Sequence, residues 1–350
     1  MAEKFSKQRF IWVDYLKATL IFLMVLGHSS QQGIVGEVLS SFHMPAFFMI
    51  SGFLYHEREP MKLLRSFIIP FAIFYFLWMI KMQTLNYLMT GRIDSEYLLK
   101  TIMGLLSSDM SLLGESSFPG YWFLIVLMLI RMYAGDLSLF RKLKPFQMKI
   151  SICIVILFSF FFFHFPRQTQ FVSNIYVIKA ILCFPFFYFG IYIREINSKK
   201  IFNLNVLLLL LLLQFSVCLS EINGPTNLML SDFKMGYVPF IINTFPMTFI
   251  LINIFSKIPP PSPSKNKRPS EACEQKGIDK LTSIIITVSN GTLLILGIHG
   301  ILIGIFKLFF QSTSFWHHPL RPMCCAFFVL IICYPLILLS KKYMPILLGK

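Results

Sequence analysis

Along most of this chain the apolar residues neither alternate nor recur at helical spacing; they run on. Stretches such as Ile152 to Phe163 and Val206 to Leu213 offer almost nothing to water. A helix needs roughly 20 mostly apolar residues to cross the hydrocarbon core of a bilayer. On that ruler the sequence holds ten candidate spans, near residues 11–30, 39–56, 66–88, 120–137, 149–165, 175–194, 203–221, 237–256, 283–306 and 322–340. The second is the shortest and contains Pro45 and Gly52. Proline inside a span is tolerated where neighbouring helices satisfy the freed carbonyl.

Two connections between spans are long. The stretch 89–119 carries Asp94, Glu96, Asp109 and Glu115 and is expected outside the membrane, as a partial lid or as a plain connector. The stretch 257–282 opens with Pro259-Pro260-Pro261-Ser262-Pro263 and continues in mixed charge, which reads as a flexible cytoplasmic linker. No internal repeat is visible, which weighs slightly against a transporter built from duplicated halves. The expected fold is all-α, a polytopic integral membrane protein with about ten transmembrane helices and a single membrane-embedded domain over residues 1–350.

Composition agrees. Hydrophobic residues make up 56% of the chain and charged ones 14%, and the mean hydropathy is +0.69. Soluble domains carry about 25% charge, so a soluble enzyme, a nucleic-acid-binding domain and a disordered chain are all excluded. The formal charge of +16 is a matter of placement. With the N-terminus inside, the cytoplasmic segments hold 22 basic residues and the outer segments six, while Lys17, Lys81, Arg131 and Lys179 lie within spans. That asymmetry orients the protein with both termini cytoplasmic. It needs no nucleic-acid partner. The seven cysteines show no metal-ligand or disulfide pattern, and the six that fall in or beside apolar segments, all but Cys273, read as small buried hydrophobes. Lys4, Lys7 and Arg9 mimic a secretory signal, but Asp14 and Lys17 interrupt the apolar run and no small-residue cleavage site follows, so the first span is expected to be retained.

Ionisable side chains inside spans are costly and mark candidate function. Lys17 and His28 lie eleven residues apart on the first span. At about 100° per residue they share a helix face, separated by roughly 16 Å along its axis. Asp14, three residues before Lys17, shares that face and can pair with its ammonium. The second span carries His43 at the outer level of His28, and Ser51 with Gly52, small enough for helices to approach closely. Trp122 opens the fourth span as an interfacial aromatic or a substrate wall, and Arg131 follows within it. The ninth span holds Ser289-Asn290-Gly291 and then His299, a packed core histidine or a functional one. His317 and His318 read as solvated. An intramembrane histidine is the best base or nucleophile on chemical grounds. That alone names no substrate.

The first ninety residues carry Trp12-Val-Asp14-Tyr-Leu-Lys17-Ala, then Val25-Leu26-Gly27-His28, then Phe42-His43-Met44-Pro45-Ala-Phe47-Phe48-Met49-Ile50-Ser51-Gly52-Phe53-Leu54. This string resembles the membrane acyltransferases of the acyltransferase-3 family, and most of all their fucose 4-O-acetylase-like branch. Weaker echoes follow at Tyr121-Trp122-Phe123-Leu124, Tyr188-Phe189-Gly190-Ile191-Tyr192 and Asn290-Gly291 to His299. The family pattern places a basic residue, usually arginine, ten residues and then histidine; here the basic position is Lys17 and the histidine His28. Lysine keeps the charge but loses the bidentate fork. The resemblance implies an O-acetyltransferase of the cell (inner) membrane. It implies acyl-CoA, commonly acetyl-CoA, as co-substrate, no permanently bound cofactor or metal, and a sugar hydroxyl on a glycan or glycolipid as acceptor, in the manner of polysaccharide modification. His28 would be catalytic, as general base or as covalent acyl relay. Asp14, Lys17, His43, Ser51, Trp122, Arg131 and His299 would bind or support. A transporter or flippase of a sugar-linked substrate, with Lys17, His28 and Arg131 lining a passage, is the alternative that buried charges also fit.

Overall fold

The computed structural model describes residues 9–30, 33–56, 58–107, 121–136, 176–195, 204–224, 226–228, 233–258 and 269–349, with isolated positions between 150 and 157. They fold as α1 (Ile11–Ser30), α2 (Ile34–Phe53), α3 (Pro60–Thr90), α4 (Ser95–Ser107), α5 (Tyr121–Arg131), α6 (Tyr176–Glu195), α7 (Val206–Asn223), α8 (Tyr237–Ser256), α9 (Pro269–Asn290), α10 (Thr292–Phe310) and α11 (Arg321–Tyr343). Seven helices among the described residues are long and apolar enough to cross a membrane: α1, α3, α6, α7, α8, α10 and α11. The protein is an all-α, multi-pass membrane protein.

The ten expected spans map unevenly onto these helices. The fifth, near 149–165, lies outside the described residues apart from isolated positions. The fourth appears as a short apolar helix, Trp122–Ala134, whose last residues after Arg131 widen into a π turn, Met132–Asp136. The second, α2, is not among the seven. It carries Glu37, Ser40, Ser41, His43 and Ser51, a polar load that lipid would penalise but a protein interior can satisfy. The structure supplies that interior, because α2 packs on α1, α6, α7 and α8.

Residues 269–282, expected to belong to a flexible linker, are instead the first turns of α9; positions 259–268 lie outside the described residues. The expected ninth span is therefore two helices meeting at Gly291. Likewise part of the 89–119 connection is helical. Asp94 starts α4 by accepting from Tyr97 N at 2.8 Å, and Gln83, within the last turns of α3, grips both the N–H and the C=O of Asp94. Whether that connection closes over anything falls on residues 108–120, outside the described ones.

Among the described residues the closest helix approach marked by glycine is between α2 and α6. Gly52 and Gly190 face each other's helix so closely that a Cβ on Gly52 would lie 1.8 Å from Phe187 O, and one on Gly190 1.9 Å from Met49 O. Small residues permit such backbone contact between helices that gain little from hydrophobicity in a bilayer. On another side of α2, polar groups join the helices. Asn243 Nδ2 donates to Ser220 Oγ at 2.6 Å, Ser220 reaches Ser41 Oγ at 3.4 Å, and Thr244 donates to Ser41 O at 2.8 Å. Interhelical hydrogen bonds of this kind hold α7 and α8 in register with α2.

Candidate functional site

Helix α1 is pinned at both ends. At its start, buried Asp14 accepts from Arg9 Nε at 2.7 Å and from Ser289 Oγ at 2.7 Å, while Tyr15 Oη and Thr282 Oγ1 lie 2.9 Å apart. At its far end, Ser29 Oγ donates to Pro322 O at 3.1 Å and Arg321 donates to Ser29 O at 3.3 Å. The sequence suggested Lys17 as the partner of Asp14. The carboxylate oxygens meet Arg9, a local partner five residues earlier in the chain, and Ser289, which reaches the carboxylate because α9 ends beside α1. By tying α9 to α1 just before the Gly291 bend, Asp14 sets the height at which α10 rises along α1.

That height brings histidines together. The rings of His28 and His299 are 5.1 Å apart between centroids, and His43 lies within electrostatic reach of His28. His28 is accessible although it sits far along the helix, His43 is half-buried, and His299 is 1% exposed. His43 Nδ1 faces Leu39 O, and His299 Nδ1 faces Leu296 O at 2.8 Å and Ile295 O at 3.2 Å. A carbonyl oxygen can only accept, so in both rings Nδ1 carries the hydrogen and Nε2 keeps the lone pair. Three helices thus contribute an imidazole to one place. Two of them have their tautomer set by their own backbone.

At the opposite end of α1 lies a cavity of about 570 Å³. Lys17, Ser51, Arg58, Arg131 and Arg194 line it together with His56, and its walls continue inward through Ile21, Met44, Phe47, Phe123 and Leu296. The cations are built in. Buried Arg131 donates to His56 O at 3.0 Å and sits over the Tyr55 ring at 5.3 Å. Arg194 donates to Tyr55 O at 2.7 Å and Phe53 O at 3.5 Å, meeting the negative end of the α2 dipole. Arg58 Nε points at His56 Nε2 at 3.2 Å, and His56 Nδ1 faces Leu54 O at 3.2 Å. The His56 pKa is lowered, by burial first and then by the guanidinium charges of Arg58, Arg131 and Arg194. The ring is therefore neutral at pH 7.

The inner wall of this cavity reaches the histidines. Leu296, which lines it, also accepts the hydrogen of His299 Nδ1, and Met44 is the neighbour of His43. Ile21, the deepest lining residue on α1, stands two turns, roughly 10 Å, below His28.

Of the residues singled out from sequence, Lys17, Ser51 and Arg131 line the cavity, and His43 and His299 join His28. Asp14 holds the scaffold between them. Trp122 is 4% exposed and packs against Phe48 at 6.3 Å between ring centroids; it belongs to the core, while its neighbours Phe123 and Leu124 face the cavity. Arg58, Arg194 and His56 were missed. Arg194 in the last turn of α6 and Arg58 beyond α2 read in sequence as orienting charges, and only the tertiary contacts of Arg194 and the place of all three residues in the cavity wall reveal otherwise.

A family model described as an acyltransferase domain matches residues 10–338, nearly the whole chain. This chain belongs to the acyltransferase-3 family. It is accordingly a membrane acyltransferase, and the matched range takes in both the cavity and the histidine cluster. No curated protein and no solved structure matches the chain.

Proposed function

We propose that this acyltransferase moves an acyl group, acetyl in the first instance, from acyl-CoA to a sugar hydroxyl of a glycan or glycolipid in the cell membrane. The observation that carries the reading is the cavity itself: four cations, Lys17, Arg58, Arg131 and Arg194, line one end, and the inner wall includes Met44, the neighbour of His43, and Leu296, whose carbonyl accepts from His299 Nδ1. Acyl-CoA is a ligand of matching polarity, with phosphates at one end and a thioester at the tip of a long, narrow arm. Arginine forks suit phosphate oxygens, and the apolar inner wall suits the arm. In this reading the cationic mouth faces the cytoplasm, both termini lie on that side, and His28 works near the outer level.

The chemistry then falls to this chain's own groups. An unactivated sugar hydroxyl is a poor nucleophile at neutral pH, so a base within reach contributes typically 10²–10⁴-fold. His28 takes the hydroxyl proton as the oxygen attacks the thioester carbonyl. When the carbon–sulfur bond breaks, the imidazolium returns that proton to the departing thiolate, and the ester and the thiol are the products. The direct test uses purified protein in nanodiscs with acetyl-CoA and a glycolipid extract as acceptor. Thiol release and acyl incorporation that depend on protein, and fall by at least ~10² in His28→Ala, support the reading. Movement of glycolipid across the bilayer without a donor, and no thiol release, would overturn it in favour of a flippase.

A further inference from the structure

His299 comes from a helix far from His28 in sequence, is almost wholly enclosed, and still has a nitrogen with nothing bonded to it. Its Nδ1 hydrogen is committed to the carbonyls of Leu296 and Ile295. Its Nε2 is buried and has no hydrogen-bond partner. An orphaned buried acceptor is costly, and imidazole Nε2 in this tautomer can do only one thing, which is to accept a proton or a hydrogen bond. The ring lying against it is that of His28, at 5.1 Å between centroids and 39° between planes. His43 has the same tautomer, but it is His299 whose ring packs on that of His28 and whose enclosed Nε2 lacks a partner.

We infer that His299 is the positioning residue of His28: its Nε2 accepts an N–H of the His28 ring, which leaves the other His28 nitrogen with its lone pair toward the substrate and stabilises the imidazolium formed when that nitrogen takes the hydroxyl proton. In the present geometry the two rings touch without a closed hydrogen bond; rotation of the accessible His28 ring is the movement that closes it. The order of parts is that of a base oriented by a buried acceptor behind it, with a neutral imidazole in the place usually held by a carboxylate. A neutral partner suits this place, since a second buried charge would need its own compensation. The connection to Asp14 is mechanical. The Asp14–Ser289 bond sets the height of α10 and so the level of His299 beside His28.

This inference rests on His28 being the base, and the test separates the two. Three variants divide the functions of His299. His299→Gln places an amide oxygen where Nε2 was and keeps an acceptor toward His28. His299→Asn places its amide where Nδ1 was and keeps the tie to the helix carbonyls but no acceptor toward His28. His299→Phe fills the space alone. In acetyl-CoA thiol release with glycolipid extract, Phe and Asn are expected to lose at least ~10-fold in kcat with KM for acetyl-CoA little changed, the mark of an interaction made in the transition state, and Gln is expected to recover most of it. In the His28→Ala background His299→Phe should cost nothing further, because residues acting as a unit are non-additive. A second readout needs no turnover: diethylpyrocarbonate labels neutral imidazole nitrogen, and mass spectrometry should find His28 labelled more slowly in the Asn and Phe variants than in wild type or Gln. A merely structural His299 gives the reverse ranking, Asn at or above Gln, with melting temperature following activity; that ranking overturns the inference. If His28→Ala is itself fully active, the reading of His28 as the base fails. If His28→Ala is inactive while all three His299 variants turn over and label as wild type, only the role of His299 fails.

Discussion

Gly52→Ala tests how far the site depends on the α2–α6 contact. The added Cβ would lie 1.8 Å from Phe187 O, where ordinary contact begins near 3.4 Å, so the helices must separate by about 1.6 Å. The obstacle is backbone, and no rotamer change relieves it. Overpacking a close-packed interior typically costs ~1–3 kcal/mol, and a backbone collision belongs at the upper end, about 3 kcal/mol. Function should follow, because α2 carries His43 and Ser51, and the carbonyls just beyond it receive Arg194 and Arg131. Displacing α2 pulls those guanidiniums out of the cavity wall. Thermal unfolding in nanodiscs, followed by titration with acetyl-CoA, should show a lower melting temperature and weaker donor binding. Gly190→Ala, with its Cβ 1.9 Å from Met49 O, should behave alike. The double variant should cost clearly less than both singles combined, since one displacement relieves both collisions. Gly27→Ala is the control. Its nearest neighbours would be Leu39 side-chain atoms at 3.8 Å, and alanine is the better helix former by ~1 kcal/mol, so melting should be unchanged or higher. Gly52→Ala protein that melts and binds donor like wild type would refute the argument from close approach.

Four further outcomes are expected. Arg131→Gln and Arg194→Gln should each raise the apparent KM for acetyl-CoA more than they lower kcat, as loss of uniform binding does, and Lys17→Ala should do the same; initial-rate kinetics decides. His56, with its pKa lowered by burial and by three guanidiniums, is neutral at pH 7 and gains charge only on acidification below the ordinary histidine range, so donor binding should strengthen as pH falls through that window and stay flat there in His56→Gln. Asp14→Ala should lower both thermal stability and turnover, because Arg9 and Ser289 lose their shared acceptor and α10 its anchor, whereas changing exposed Glu59 should leave both unchanged. In a cysteine-free background, a membrane-impermeant thiol reagent applied outside intact cells should reach a cysteine placed at Ser95 and miss one placed at Glu59; the opposite pattern refutes the inside orientation of the cationic mouth.

Much of this protein was legible in one dimension. Burying long apolar runs in a bilayer is a requirement of composition, and a separation of eleven positions from Lys17 to His28 places both on one face whatever the surroundings. The sequence also showed which polar residues stood where lipid should be. It did not show what satisfied them. Asp14 was read with Lys17; its oxygens meet Arg9, equally local, and Ser289, and that second partner, 275 positions away, is invisible until helices pack. Arg58 and Arg194 looked like charges that orient helices, since a charge at or near a helix end reads the same whether it faces water or a cavity. Residues 269–282 looked like linker because their composition is polar, and polar composition does not distinguish a solvated coil from a helix. His299 is the sharpest case. From sequence it was one imidazole in an apolar helix; its backbone carbonyls fix the tautomer, but only the packing of α10 on α1 puts the remaining lone pair beside His28. Local chemistry is written along the chain, whereas pairing across helices is a property of the packed bundle.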